Sequence, residues 1–213
     1  MHIQLETVLP GDIEKRSMEL LTAELPHPLD AENADVIKRV IHTTADFDYA
    51  DTLTFSAGAC DDTVALLRQG GVTIVTDTQM ACAGVSKAAC RQLGAEVRCF
   101  MGDDDVAAAA RANGTTRAVA AVEKALALQG PVIFAVGNAP TALIRICEAV
   151  ADGSLRPALV IGVPVGFVNV VQSKELLLTL PVPHIVNRGR KGGSNVAAAI
   201  CNALLYRAAG RTL

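Results

Sequence analysis

The chain of 213 residues carries 19 lysines and arginines against 22 aspartates and glutamates, has a formal net charge of -3, and is 51% hydrophobic but only 3% aromatic. This composition does not favour a nucleic-acid partner, because phosphate recognition needs a basic surface and single strands are also held by stacked aromatic side chains. Acidic residues lie within the first dozen positions and no apolar run approaches the roughly 20 residues of a membrane span. We therefore expect a cytoplasmic protein with no membrane partner.

The cysteines show no CxxC pair and no other spacing typical of metal ligands. They lie at positions 60, 82, 90, 99, 147 and 201. Several fall inside apolar segments, where a reduced thiol behaves as a small buried side chain. The sequence thus predicts reduced cysteines and no metal site.

A first helix, capped by Asp12, is predicted to end near residue 25. Ser17 falls on the same face as the aliphatic side chains of this helix, and Arg16 projects from its flank. A small hydroxyl in that position fits either a packed side chain bonded to a backbone carbonyl or a ligand contact, and both interpretations stay open.

The second predicted helix spans residues 31–46 and is capped by Asp30. At about 100° per residue its aliphatic side chains fall on one side, while Arg39 and His42, one turn apart, fall on the other. An anion on that face would meet a fixed cation and a titratable imidazole together, so His42 is a candidate acid and Arg39 a candidate substrate clamp. The alternative is a solvent-facing histidine near a helix C-terminus.

From residue 53 onward, short apolar or β-branched runs alternate with helical stretches. Predicted strands span 53–55, 72–76, 96–100, 132–136, 158–161 and 184–186. Predicted helices span 61–69, 84–93, 116–128, 141–151, 173–178 and 194–207. This alternation indicates an α/β fold with a mainly parallel sheet covered on both faces, and such sheets bind ligands outside the carboxyl ends of their strands. No linker or repeat divides the chain, so a single domain over residues 1–213 is expected.

Several residues that follow strands could carry chemistry. Asp77 fits a turn residue or a functional carboxylate, and both are kept. Ser86 and Lys87 enter a helix near its N-terminus, where backbone N-H groups favour anions. Arg117 adds a cation from a separate segment, although scattered surface charge is the usual explanation for any one of these cations.

Two loops near the end of the chain have unusual compositions. The loop at residues 162–168 is apolar enough to form a wall for a flat organic ligand or a contact between subunits. The loop at residues 188–194 combines glycines and cations before a helix, as anion sites do, but its spacing does not match GxxxxGK[ST]. A nucleotide- or phosphate-binding enzyme is therefore kept as an alternative.

No GxSxG or HExxH motif occurs, so proton transfer is the chemistry available. His42 is preferred as the acid to His184, which lies in a predicted buried strand.

Considered together, several of these segments closely resemble the precorrin-8X methylmutase family, also called cobalt-precorrin-8 methylmutase, of corrin-ring (cobalamin) biosynthesis. The motifs that carry the resemblance are Arg39-Val-Ile-His42, Gly137-Asn-Ala-Pro-Thr-Ala-Leu143, Gly162-Val-Pro-Val-Gly-Phe-Val168, Ser173-Lys-Glu175 and Gly189-Arg-Lys-Gly-Gly-Ser194. Their occurrence in this order covers nearly the whole chain and extends to Ile13, Arg16-Ser17 and Thr116-Arg117.

The resemblance implies a flavodoxin-like three-layer α/β/α sandwich that acts as a homodimer. The loop at residues 163–168 and the Ala-rich last helix are candidates for the contact between subunits. It also implies an isomerase that binds a polycarboxylate tetrapyrrole and moves a methyl group from C-11 to C-12, giving hydrogenobyrinate, or cobyrinate when the ring holds cobalt. Such an intramolecular shift requires no redox cofactor, methyl donor or covalent nucleophile.

The family's catalytic histidine falls on His42, and its substrate-contacting positions fall on Ser17, Arg39, Arg16, Ser86, Lys87 and Arg117. Gln172 and the pair Thr78-Gln79 stand where acidic residues are common in the family, which puts local polar contacts in question and leaves the reaction unaffected. We hypothesise that protonated His42 donates to the macrocycle. A non-catalytic tetrapyrrole carrier is the alternative function.

Overall fold

The computed structural model describes residues 5–211. The strands are β1 (Leu53–Phe55), β2 (Thr73–Thr76), β3 (Glu96–Arg98), β4 (Val132–Val136), β5 (Leu159–Gly162) and β6 (His184–Asn187). The helices are α1 (Ile13–Ala23), α2 (Ala34–Thr44), α3 (Tyr49–Thr52), α4 (Ala59–Gln69), α5 (Gln79–Gly84), α6 (Lys87–Gln92), α7 (Asp104–Ala112), α8 (Arg117–Ala125), α9 (Pro140–Ala151), α10 (Val170–Leu178) and α11 (Ser194–Ala208). Short 3-10 turns lie at Pro10–Asp12 and Phe100–Gly102.

The six strands form one sheet in the order β1-β6-β5-β4-β2-β3. Strands β2 to β6 are parallel to one another, and their order β6-β5-β4-β2-β3 is the flavodoxin-like one, because the chain passes from β2 first to β3 at the edge and then to β4 on the other side of β2. β1 is an added edge strand that pairs antiparallel with β6. The predicted α/β class and mainly parallel sheet are confirmed.

Side chains of β4 alternate between the two faces of the sheet, as the two-residue period of a strand requires. Ile133 and Ala135 join a core that also contains buried residues of α1, α2, α4, α6 and α11. Val132, Phe134 and Val136 join a second core, which contains buried residues of α7, α8, α9 and α10. The sheet is therefore the middle of three layers, and the helices on its two faces bury separate clusters.

Helix α11 lies inside the first of these cores. Its Val196, Ile200 and Leu204 are buried, as are most of the alanines between them. Small side chains let neighbouring backbones approach closely. At Gly84 in α5, an added Cβ atom would lie 2.9 Å from the side chain of Ala198, so no larger residue fits at that position. The expectation that this Ala-rich helix offers a subunit contact is wrong, because its apolar surface is covered by the chain itself.

Helix capping and two helix boundaries also differ from expectation, although α1 begins directly after Asp12 as predicted. Asp12 and Asp30 make no capping bond to their helices, and α2 begins after Asn33 and ends at Ala45, which has a left-handed backbone with φ 53°. The single helix predicted for residues 84–93 is divided, since Ser86 starts a new helix, α6, through its hydroxyl bond to a backbone N-H. Within the described residues, no helix is long and apolar enough to cross a membrane.

Candidate functional site

His42 lies on the last turn of α2 with its side chain exposed. The helix ends two residues later, at Thr44, so the imidazole stands at the end of α2 that faces the loops following the parallel strands, where Lys191 pairs with Asp46 and Asp48. A nearby surface hollow between α1 and α2 is lined by Lys15, Met18, Glu19, Thr22, Ala23 and Lys38, and His42 lies outside it.

Arg39 is placed differently from its expected position. It was predicted to lie beside His42 on the polar face, but it is 8% exposed and packs with the buried side of α2. Its Nη1 donates to Glu14 at 2.6 Å, and its guanidinium lies 5.3 Å from the centre of the Tyr206 ring. This hydrogen bond holds the pKa of the Glu14 carboxyl below its usual value. Within residues 5–211 its Nε and Nη2 are buried and have no hydrogen-bond partner.

Ser17 and Arg16 lie on α1, which the bond from Arg39 to Glu14 joins to α2. Ser17 is half-buried and follows Glu14, the partner of Arg39, by one helical turn. Arg16 is more exposed and donates to Glu6 at 2.7 Å. That contact, with a second carboxylate at Glu19, raises the pKa of the Arg16 guanidinium. The structure therefore brings four of the candidate residues onto one pair of helices.

Ser86 and Lys87 lie on the same side of the sheet but are engaged in local structure. The Ser86 hydroxyl accepts the Ala89 N-H at 3.3 Å, and its own N-H donates to the Asn202 side chain at 2.8 Å. The ammonium group of Lys87 turns back to the Val85 carbonyl at 3.0 Å. Both side chains would have to leave these contacts to hold a ligand.

Arg117 belongs to the opposite layer. It is exposed at the first position of α8, next to Thr116, whose hydroxyl lies 3.2 Å from that of Thr141 at the start of α9. α8 packs in the second core, across the sheet from α1, α2 and α6. The six predicted substrate contacts therefore occupy three separate places on one chain.

Asp77 follows β2 and lies in the crevice between β2 and β4, where the order of the strands in the sheet reverses. Its buried carboxylate accepts the N-H groups of Gly137, Asn138 and Ala139 at 2.9, 2.7 and 2.6 Å. Burial raises the pKa of this carboxyl, and the three donors act in the opposite direction. In flavodoxin-like sheets a ligand commonly occupies this crevice, but here the N-H groups that would hold a phosphate already bind the chain's own carboxylate.

The same crevice is closed further by backbone contact. A Cβ atom on Gly137 would lie 2.7 Å from the Gly193 carbonyl oxygen, so only glycine fits there. The Thr78 hydroxyl lies 2.7 Å from that of Ser194, at the start of α11. These contacts do not favour the nucleotide-binding alternative.

The loop after β6 is held from beneath by a residue that the sequence pattern did not single out as functional. Lys174 is fully buried, and its ammonium group donates to the carbonyls of Gly189 and Lys191 at 2.8 and 2.7 Å. Burial lowers the pKa of Lys174 to about 8. The only sequence signal was its place in the Ser173-Lys-Glu175 motif, since a lysine in a helix ordinarily indicates an exposed position.

The remaining histidines and the cysteines have structural surroundings. His27 is exposed and lies 2.8 Å from Asp51, and His184 is half-buried with Nδ1 2.9 Å from the Val182 carbonyl. All six cysteines are free, and burial raises the pKa of Cys60, Cys147 and Cys201 to about 12. Within residues 5–211, no three His, Cys, Asp or Glu side chains are grouped as metal ligands.

Comparison with known proteins identifies the family. A family model described as precorrin-8X methylmutase matches residues 12–207. The chain belongs to the precorrin-8X methylmutase family. It is accordingly a methylmutase, an isomerase of cobalamin biosynthesis. The match extends from the start of α1 to the end of α11 and so includes every candidate residue.

Individual members of the precorrin-8X methylmutase family are similar over most of their length. A cobalt-precorrin-8 methylmutase of Priestia megaterium is 42% identical over 93% of this chain and 88% of its own, and one of Salmonella typhimurium is 49% identical over 80% of each. A crystal structure of precorrin-8X methylmutase from Thermus thermophilus superimposes with a TM-score of 0.85 at 39% identity, covering 95% of this chain and 100% of that one. The fold described above is that of the family.

Proposed function

We propose that this protein moves a methyl group from C-11 to C-12 of precorrin-8X or cobalt-precorrin-8, giving hydrogenobyrinate or cobyrinate, with His42 as the proton donor. The observation that carries the proposal is similarity over most of the chain to enzymes with these names: 42% identity to the P. megaterium cobalt-precorrin-8 methylmutase and 41% to a precorrin-8X methylmutase of Pseudomonas aeruginosa. Relatives of both names match about equally well, so both substrates are included.

The reaction requires little from the protein beyond a positioned acid. A 1,5-sigmatropic shift breaks the methyl bond at C-11 while it forms the bond at C-12, and no atom is gained or lost. A proton from the imidazolium of His42 draws electron density from the conjugated ring and favours the rearranged system, and it returns to the imidazole when the product ring settles. The exposed place of His42 at the end of α2 supports this role, because a macrocycle needs an unobstructed approach.

The substrate's carboxylates are proposed to meet Ser17, Arg39, Arg16, Ser86, Lys87 and Arg117. Arg39 has the strongest support, because its guanidinium is fixed by Glu14 and Tyr206 and still has two N-H-bearing nitrogens without a partner among the described residues. A charge-assisted hydrogen bond to such a donor is short and directional. Both nitrogens are buried, so a carboxylate of the ring would reach them only after the side chains that cover them move aside.

We further propose that the protein works as a cytoplasmic homodimer. Exposed aliphatic side chains line one face of the α1 region, where Leu9, Ile13 and Leu20 are 70%, 56% and 42% exposed. Burying such side chains against a second copy would be favourable at about 25 cal/mol per Å² of apolar area. The six free thiols suit a reducing compartment.

A His42→Ala variant tests the catalytic proposal. We expect it to bind the pigment normally and to convert it about 10² to 10⁴ times more slowly than the wild type, as is typical of a lost general acid. Conversion is followed by the change in the absorption spectrum of precorrin-8X. His27→Ala, which removes another exposed imidazole, should leave the rate unchanged. Near-normal turnover by His42→Ala would rule out the role, and saturable binding without turnover by the wild type would indicate the carrier.

A further inference from the structure

The loop that connects β6 to α11 has a backbone fixed at several points. Lys174 donates to the carbonyls of Gly189 and Lys191, and Asn187 donates to the carbonyls of Arg188 and Lys191 at 3.2 and 2.9 Å. Taking an ammonium group out of water is costly, and the two carbonyls that Lys174 bonds offset part of this cost. The shape of the loop is therefore set by side chains beneath it.

The loop is also fixed from its outer side, next to the candidate acid. The Lys191 ammonium group lies 2.6 Å from Asp46 and 2.6 Å from Asp48. These two carboxylates follow His42 by four and six residues, just past the end of α2. The ion pairs join the loop to the segment that carries the imidazole.

Two guanidinium groups project from this fixed backbone. Arg188 and Arg190 are exposed, and among residues 5–211 neither lies within ion-pair distance of a carboxylate. The guanidinium of Arg190 lies 5.5 Å from the centre of the Phe167 ring, which is itself 83% exposed. The Gly166 N-H donates to the Arg190 carbonyl at 3.2 Å, so the two loops are joined through their backbones.

A fixed pair of arginines beside an exposed aromatic ring matches a flat ligand with an acidic rim. Guanidinium groups form paired hydrogen bonds with carboxylates, and an aromatic face stacks on a conjugated ring. We propose that Arg188 and Arg190 bind carboxylate side chains of the substrate macrocycle and that Phe167 contacts its apolar face. This inference rests on the proposed function and adds a second set of carboxylate contacts to it, carried by the loop at residues 188–191 instead of by α1 and α2.

The test measures the affinity for two pigments that differ in charge: hydrogenobyrinate and its fully amidated derivative, titrated by absorbance. Each of Arg188→Gln and Arg190→Gln should bind hydrogenobyrinate roughly tenfold more weakly than the wild type, and the amidated pigment within about twofold. Arg188→Lys and Arg190→Lys should recover part of the loss. Arg156→Gln is the matched control, because Arg156 is exposed just before the start of β5, at the opposite end of the parallel strands from the loop that follows β6. It should bind both pigments as the wild type does.

Each other result overturns the inference. Unchanged affinity for hydrogenobyrinate in both glutamine variants would show that the arginines hold no carboxylate. Equal weakening for the acid and the amide would show that they act by packing and not by charge. The wild type is measured first: if it binds neither pigment, the proposed function fails together with this inference, whereas wild-type binding combined with unaffected variants overturns the inference alone.

Discussion

The Nη1 of Arg39 donates to the Glu14 carboxylate at 2.6 Å, whereas the Nε and Nη2 of the same guanidinium have no partner among residues 5–211. The Nη1 group of this side chain thus holds α1 against α2, whereas the other two nitrogens stay buried without a partner. An unpaired buried donor costs about 1 to 3 kcal/mol, which a bound acceptor would recover. The burial of Arg39, unexpected from its helical face, is therefore compatible with a role in substrate binding.

Arg39→Lys separates these two functions. A lysine can keep the ion pair with Glu14, but it loses the planar fork that serves a second acceptor. We expect hydrogenobyrinate to bind about tenfold more weakly, a change of about 1.4 kcal/mol, with little change in the free energy of unfolding. Absorbance titration and urea unfolding measure the two quantities. The matched control is Arg98→Lys, since Arg98 also pairs with a carboxylate, that of Glu96, but on an exposed strand. Equal affinity of the two variants would contradict the clamp.

The positions of the strands were predictable wherever burial on both faces of the sheet requires a continuous apolar run of residues. β4 spans Val132–Val136 as expected, because a central parallel strand has no solvated face. The direction of β1 was not predictable, since a three-residue strand pairs with whichever neighbour the rest of the fold presents at its edge. The same limit applies to Arg39: helical periodicity gives the direction of a side chain on α2 but contains no information about α1 and α11, which cover it.

The site was predictable in part, for a related reason. His42 stands exposed at a helix end, as its place in the periodic pattern indicated. The partners of Asp77 and Lys174 lie 60 residues or more and 15 residues or more away in sequence, and they are backbone groups. Nearly every residue type supplies the same backbone N-H and carbonyl groups, so no sequence motif identifies such a partner. These two residues acquire their roles only when separate loops meet at one edge of the sheet.

Asp77→Asn is expected to destabilise the fold. The amide keeps one acceptor oxygen but turns an NH2 group toward N-H donors, so at least one buried contact with Gly137, Asn138 or Ala139 is lost. We expect the free energy of unfolding to fall by about 2 kcal/mol or more. Urea unfolding measures it. Asn138→Ala serves as the control, because it removes an exposed side chain and leaves the backbone N-H bound to Asp77; its stability should change little. If Asp77→Asn unfolded at the same urea concentration as the wild type, this account of the crevice would be wrong.

Leu20→Glu tests the proposed dimer. Leu20 is 42% exposed on α1, and Leu176 is 40% exposed on α10, in the opposite layer. A charge buried in a subunit contact is unfavourable, whereas a charge on a free surface costs little. We expect the wild type and Leu176→Glu to sediment with twice the monomer mass and Leu20→Glu to sediment as a monomer. A dimeric Leu20→Glu variant would place the contact elsewhere.

Lys174 should make the stability of the protein depend on alkaline pH. Burial lowers its pKa from 10.5 to about 8, so between these values the unfolded chain binds more protons than the folded one. Stability contributed by this group therefore rises with pH over that range, by up to about 1.4 kcal/mol per pH unit. The neutral amine still has two hydrogens for the carbonyls of Gly189 and Lys191, so the loop contacts persist.

In urea unfolding, the wild type should gain stability relative to Lys174→Met as the pH rises from about 8 toward about 10.5. The exposed-site control Lys15→Met should follow the wild type, and parallel curves for wild type and Lys174→Met would mean that the ammonium group is not destabilised by its burial.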